Sequence, residues 1–413
     1  MFLLEFTTGN FLSFREKKTL SMEAAKIKEY PENVIQTGKY NLLKSAVIYG
    51  ANASGKSNLI KALKFMLDTI INSARLNSTD TLNTKPFLLD EESSQKPSYF
   101  ELLFIDGNNR FRYGFELDNK RIHSEWLYLL PLEAKSKKDN MLFVRQGNEI
   151  IISEDFNEGK GLESKTRDNG LFLSVCDQFN GPLSKELMSL FGGNIIIMSG
   201  IDHNAESSMT SFFMKTFENI SNKFFQDMQL GFTDIELAKE EKRYEDKAIT
   251  THNKYNAKEE TIGKVNFKIR ENESSGTNKI YDMAGYLLLG LNFGVPVIID
   301  ELDAKLHPLL THKIIELFHS PETNPKNAQL IFSTHDTNLL GCNCFRRDQI
   351  WFTEKDRTES TDLYSLVEFK EPDGGKVRND RSFEKDYIAG RYGAIPFIGN
   401  FNNLINHDHT TKN

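Results

Sequence analysis

The stretch VIYGANASGKSNLIKAL, residues Val47 to Leu63, decides the reading of this chain. Val47, Ile48 and Tyr49 are three apolar residues in a row, the mark of a buried strand. Gly50-Ala51-Asn52-Ala53-Ser54-Gly55-Lys56-Ser57 then fits G-x-x-x-x-G-K-[ST], and Asn58 to Leu67 carries helical periodicity. The glycines allow the backbone to curl so that successive N–H groups surround phosphate oxygens. The helix that follows turns its positive end to the same phosphates. In this arrangement Lys56 reaches the β- and γ-phosphates and the Ser57 hydroxyl serves a Mg²⁺ ion. A strand before the motif and a helix after it make this the signature of a nucleoside triphosphate site, with ATP the expected ligand.

Three further segments complete such a site. Val295 to Glu301, VPVIIDE, is an apolar strand ending in two carboxylates. A strand tip is where a doubly wound sheet presents its ligand-binding groups. Asp300 is placed to hold Mg²⁺, and Glu301 to act as general base on the attacking water. Leu330 to Asp336, LIFSTHD, is another apolar strand, and its His335 suits a γ-phosphate sensor at the next tip. Glu273-Ser274-Ser275-Gly276-Thr277 stands just ahead of a helix expected over 277–292. Serine hydroxyls, a glycine and a helix N-terminus form a second anion-binding device. With the P-loop already on the phosphates, the second device implies a nucleotide sandwiched between two copies of the chain.

Composition sets the outer bounds. The 413 residues are 39% hydrophobic and 26% charged, enough for a sizeable core, and no apolar run approaches the length of a membrane span. MFLLEFTTGN lacks the basic start of a signal peptide and reads as the first strand, so a cytoplasmic location is expected. The net charge of −7 argues against general coating of nucleic acid, which needs a basic surface. Basic clusters at 15–18, 135–138 and 376–381 read as solvated faces. Cys176, Cys342 and Cys344 read as buried free thiols. Cys342-x-Cys344 near His335 matches no common zinc spacing, and His407-x-His409 falls in a polar tail expected to fray.

Along the chain, strands are expected at 2–8 and 18–22, joined by a turn at Asn10 to Phe14. A polar loop follows at 77–95, and then an antiparallel meander over 98–152. Residues 160–230 have helical spacing, and 232–270 read as strands around a charged, loop-like segment at 240–260. The remainder alternates strand and helix, which implies parallel strands. No sustained heptads lie between Lys56 and Asp300, so no long coiled-coil arm is expected.

The order P-loop, Ser-Ser-Gly helix, Asp-Glu strand, His strand resembles the ATP-binding-cassette type of ATPase, as in the heads of SMC-like and DNA-repair proteins. The resemblance implies an α/β fold, with a mixed or parallel core sheet, an antiparallel β subdomain and an inserted helical lobe. It divides the chain into 1–159, a first ATPase lobe; 160–275, a helical or mixed insert; and 276–413, the C-terminal part of the ATPase. ESSGT stands for the family's LSGGQ signature, with Ser274 and Gly276 retained and Glu273, Ser275 and Thr277 departing from it. Asp303 matches the D-loop, His335 the switch histidine, and Gln95 is the candidate for the Q-loop. The implied nucleotide contacts run from Gly50 to Asn58 and, across the dimer, through Ser274, Ser275, Gly276 and Asp303.

A closer resemblance spans most of the chain. NFLSF with KTLSMEA, IYGANASGKSNLIKAL, FRYGFEL with SEWLY, ESSGT, IIDELDAKLHP, FSTHDTNLL and YIAGRYGAIPFIG are similar to the RloA/AbiL-type AAA family ATPases. That resemblance implies a bacterial cytoplasmic ATPase of abortive-infection, antiphage systems. Its implied partners are a second copy of itself, head to tail, and a separate effector such as an RloB-like nuclease or toxin. A phage protein or nucleic acid would be the trigger. The competing expectation is a RecF-like or SMC-like clamp on nucleic acid, against which the acidic balance and the missing heptads count.

Overall fold

The computed structural model describes residues 1–135, 138–199, 203–238, 248–371 and 374–396. Within them the chain builds two large sheets around the P-loop helix. The first has seven strands. Glu149–Ile152, Asn140–Gln146, Ile122–Pro131, Asn109–Leu117 and Ser98–Asp106 form the meander, and Phe2–Gly9 and Lys18–Ser21 extend it. Its neighbouring strands pair antiparallel, with tight turns at Gly107 and Gly147.

The second sheet carries the site. Its order is Ile196–Met198, Val297–Ile299, Leu330–Ser333, Ser45–Tyr49, Ile350–Lys355, Thr361–Ser365. The first five run parallel and the last pairs antiparallel. Every residue of the P-loop strand (Ser45–Tyr49), the carboxylate strand (Val297–Ile299) and the histidine strand (Leu330–Ser333) is buried. Parallel strands covered on both faces read as continuous apolar runs for this reason. The alternation along a strand still sorts the faces. Ala46, Ile48 and Ile298 join the core shared with the meander, while Val47, Tyr49, Val297 and Ile299 join the opposite core.

Helices fill both cores. The P-loop helix (Lys56–Asn72) buries Leu59, Ile60, Leu63, Met66, Leu67 and Ile70, a helical stripe that packs between the sheets. On the other face lies the signature helix (Ser275–Phe293), which ends at Gly294 in the left-handed region. Gly285 lets this helix approach His203–Thr216, where any Cβ would meet the Met209–Thr210 backbone, and its N–H donates to Thr210 Oγ1 at 2.8 Å.

The structure departs from the sequence reading in specific places. Ile196–Met198 is a strand within a region expected to be helical, and it edges the central sheet beside Val297–Ile299. Three residues between helices carry too little periodicity to announce a strand. Ala248–Tyr255, inside the segment expected to be a loop, pairs with Asp234–Leu237 and Thr261–Lys268. Its polar Thr, His and Asn residues hide a β-branched strand of a small, largely exposed sheet. A hairpin of Val34–Thr37 and Tyr40–Leu43 was not expected either. Cys342 and Cys344 are joined as a disulfide, not free; Asn343 between them takes φ 53°, and their Cα atoms are 5.4 Å apart, within disulfide reach. Cys176 is a free, buried thiol as expected. Residues 240–247, 136–137 of one basic cluster, Phe397, and His407 with His409 lie outside the described residues.

Candidate nucleotide site

The P-loop emerges where the Ser45–Tyr49 strand ends. Ala53 at φ 62° and Gly55 at φ 117° take left-handed conformations, which turn successive N–H groups toward one side. A Cβ at Gly55 would collide with the Thr361 side chain, and one at Gly50 with Ser54 and Thr353. Thr361 donates to the Ser54 carbonyl at 2.8 Å, and Ser54 Oγ lies 2.6 Å from Thr353 Oγ1. Ser13, in the Asn10–Phe14 turn, accepts from Asn58 Nδ2 at 2.8 Å and lies 2.7 Å from Thr361 Oγ1. The loop is therefore held from three sides before any ligand arrives.

Lys56 is 5% exposed and donates to the Gly50 and Ala51 carbonyls at 2.7 and 3.1 Å. Burial pulls its ammonium below the ordinary lysine value, while the carboxylates of Asp300, Glu301 and Asp303 pull it back up. Those carboxylates are its neighbours because the P-loop strand, the histidine strand and the carboxylate strand are consecutive and parallel. Their C-terminal ends meet at one edge of the sheet.

At that edge Asp300 is buried and accepts the Ser333 hydroxyl at 2.5 Å. Ser333 Oγ in turn accepts the Glu301 N–H at 2.8 Å. Glu301 has φ 53°, a strained value for a residue with a side chain, and it is exposed. The turn lifts its carboxylate out of the strand direction toward solvent. The His335 N–H donates to Asp303 at 3.2 Å, tying the histidine loop to the turn after Glu301. Tyr49 donates to the Asp336 carbonyl at 3.2 Å, and burial raises its own pKa well above the ordinary phenol range.

The donor set fits a hard divalent cation. A half-buried Ser57 hydroxyl and a buried Asp300 carboxylate are the oxygen ligands Mg²⁺ takes beside phosphates. The left-handed turns at Ala53 and Gly55, which set successive N–H groups toward one side, fit the phosphates themselves.

Ser274, Ser275 and Gly276 are placed elsewhere. Ser274 caps the signature helix, its Oγ accepting from Thr277 N at 3.1 Å. A Cβ on Gly276 would lie 3.0 Å from the Lys305 carbonyl. With Met228 to Gly231, Lys305 and His307 they line an open cleft of about 710 Å³, whose lining includes no P-loop residue. Glu273, where the signature pattern has an apolar residue, is clasped by His252 Nε2 at 2.7 Å and by the Thr250 hydroxyl. Gln95 is exposed at the end of the Ser93–Gln95 turn, its amide directed at Ser94. The basic cluster at 15–18 is paired: Arg15 with Asp356, Lys17 with Glu116, Lys18 with Asp362.

Ser333, Thr361, Thr353 and Ser13 escape a motif-based reading. Ser333 alone carries a signal, a hydroxyl in the last strand position before Thr334-His335.

Among the described residues no helix is long and apolar enough to cross a membrane. No curated protein matches the chain. Two solved structures of the recombination mediator protein RecF in the RecFOR pathway are similar, RecF-ATPrS and RecF-ATP. Their identities are 13% and 11%, each match covers 88% of this chain and 98% or 97% of RecF, and the TM-scores are 0.33 and 0.28. The family model described as "AAA domain, putative AbiEii toxin, Type IV TA system" matches residues 45–168 and 199–341. Those spans hold both the P-loop and His335, and the chain belongs to this family, with a mixed α/β fold around its P-loop.

Proposed function

We propose that this chain is an ATP-hydrolysing switch of the RloA/AbiL type, which closes head to tail around ATP and controls a separate effector in bacterial antiphage defence. The observation that carries the ATPase reading is the meeting of Lys56, Ser57, Asp300, Glu301 and His335 at the ends of three adjacent parallel strands. Lys56 exchanges two loop carbonyls for the β- and γ-phosphates of ATP. Ser57 and Asp300 hold Mg²⁺, which when bound offsets phosphate charge. Glu301 accepts a proton from the attacking water, and His335 reads the γ-phosphate.

The dimer reading is supported by the exposed Ser274-Ser275-Gly276 helix start, which opens into a cleft outside the P-loop. A helix N-terminus of this kind suits the phosphates of a nucleotide on a second copy. The effector reading draws on the acidic net charge, which favours a protein partner over nucleic acid; the family's description names a putative AbiEii toxin, a role the toxicity of this chain alone would reveal.

Control of a partner requires that open and closed forms bind it unequally. The test is to co-express the chain with the protein encoded next to it and measure complex formation with ATP, ADP or no nucleotide. An affinity change of at least several-fold is expected, since such coupling is usually about 1–3 kcal/mol. Equal affinity in all three states, or full toxicity from this chain alone, would sink the switch.

A further inference from the structure

Apart from the nucleotide site, one cluster of metal-ligating side chains stands among the described residues. His312, Cys342 and Cys344 are half-buried, and their ligand atoms lie within 4.8 Å of one another. His312 comes from the helix Pro308–His319, and the two cysteines from the turn that follows the single helical turn Asn338–Gly341. The histidine beside the cysteine pair is thus His312, not the His335 that sequence proximity suggested. Cys342 Sγ also lies 3.0 Å from the Leu339 carbonyl oxygen.

Two sulfurs and an imidazole nitrogen are a soft to borderline donor set. It suits Zn²⁺ and is unsuited to Mg²⁺ or Ca²⁺, which take oxygen. Neighbouring cysteines are close enough to be joined as a disulfide in this structure, and the same closeness lets both sulfurs reach one ion once they are reduced. We propose that the reduced chain binds one Zn²⁺ through His312, Cys342 and Cys344. A dithiol reductant, itself oxidised to a disulfide, gives two electrons and two protons and opens the Cys342–Cys344 bond to two thiols. Each thiol loses its proton as its sulfur takes the metal. Three protein ligands leave the fourth tetrahedral position to water.

The location gives the site a consequence. The Pro308–His319 helix follows the turn that carries Asp303 and Lys305, and the cysteine turn follows the loop that carries His335. His335 N–H already donates to Asp303. An ion held by His312 and both cysteines is a second tie between the same two segments, farther from the phosphates.

The test uses the full chain, reduced with a phosphine, freed of metal with a chelator, and titrated with Co²⁺ as a spectroscopic probe. One equivalent should bind with a thiolate-to-cobalt charge-transfer band, and Zn²⁺ should displace it. Co²⁺ at Ser57 and Asp300 has oxygen ligands only and gives no such band, so the two sites are distinguished. Cys342→Ser and Cys344→Ser should lose the band, and His312→Ala should weaken binding roughly tenfold or more. The oxidised chain should show none, and His407→Ala with His409→Ala should change nothing. Should a cysteine variant fail to fold, alkylation of the wild-type thiols decides the matter, because bound Zn²⁺ should slow it at both positions. A folded, reduced wild type without the band, a band that survives Cys342→Ser, or alkylation indifferent to Zn²⁺ would overturn the site.

Discussion

Ser333 donates its hydroxyl to Asp300 at 2.5 Å and accepts the Glu301 N–H at 2.8 Å. One hydroxyl on the histidine strand therefore holds the Asp300 carboxylate and the backbone from which Glu301 projects. Such a bond to a buried carboxylate is charge-assisted and stronger than a neutral one. It also fixes which Asp300 oxygen remains for a metal. Ser333→Ala should lower ATP turnover by about 10–100-fold and raise the Mg²⁺ concentration needed for half-maximal rate. Steady-state rates across a Mg²⁺ titration check this. A changed rate with an unchanged Mg²⁺ requirement would leave Ser333 acting on Glu301 alone.

Glu301 and Lys56 should fail in different ways. Glu301→Gln keeps the size of the side chain but cannot take the proton from water. Turnover should drop about 10²-fold or more while ATP affinity holds. Lys56→Ala removes the cation from the cradle and should weaken ATP binding itself, which titration calorimetry resolves. Normal turnover in purified Glu301→Gln would remove Glu301 from the base role.

The contiguous parts of the site were legible because their chemistry is local. Gly50 to Ser57 is a strand, a turn and a helix start in one run, and VIIDE is a strand with its carboxylates attached. The Ser333 contact is different in kind. It exists only because Leu330–Ser333 lies between the P-loop and carboxylate strands, and no spacing along the chain states that order. Thr361 reaches the Ser54 carbonyl across 307 positions for the same reason. Ile196–Met198 and Ala248–Tyr255 were missed because sheet context, rather than their own periodicity, makes them strands. The cysteine pairing was not legible because the left-handed turn at Asn343, which sets the two Cα atoms 5.4 Å apart, is not stated by the spacing.

The position of His319 yields a pH dependence. Its side chain is half-buried, with Nε2 2.8 Å from Ser45 Oγ, and desolvation with the nearby Lys44 and His312 pulls its pKa down to about 3 from 6.5. The folded chain therefore keeps His319 neutral where the unfolded chain protonates it. Nothing is lost above the unfolded pKa. As pH falls from there toward the folded pKa, stability drops by up to about 1.4 kcal/mol per pH unit from this group. His319→Gln should have a shallower acid limb. Urea midpoints compared near neutrality and at about pH 5 check it, the variant losing less between the two conditions. Equal losses in both proteins would mean that His319 is protonated in the folded chain.

The last expectation concerns the cleft at Ser274. Its hydroxyl caps the signature helix, and Glu273 just before it is pinned by His252, so the segment is preset instead of shaped by ligand. A preset anion site in a cleft that no P-loop residue lines should serve a nucleotide on another copy. Ser274→Arg puts a bulky cation in that cleft, and Ser274→Ala, which costs only about 1 kcal/mol of capping, controls for helix stability. Ser274→Arg and Lys56→Ala should each be poorly active alone. Mixed, they should form heterodimers with one dead composite site and one intact site. With random pairing half of the dimers are mixed, so turnover should recover to about a quarter of the wild-type value under two-fold symmetry. Native mass spectrometry establishes that the heterodimers are present. If they are and turnover stays at the level of the single variants, each chain hydrolyses ATP without its neighbour and the head-to-tail arrangement falls.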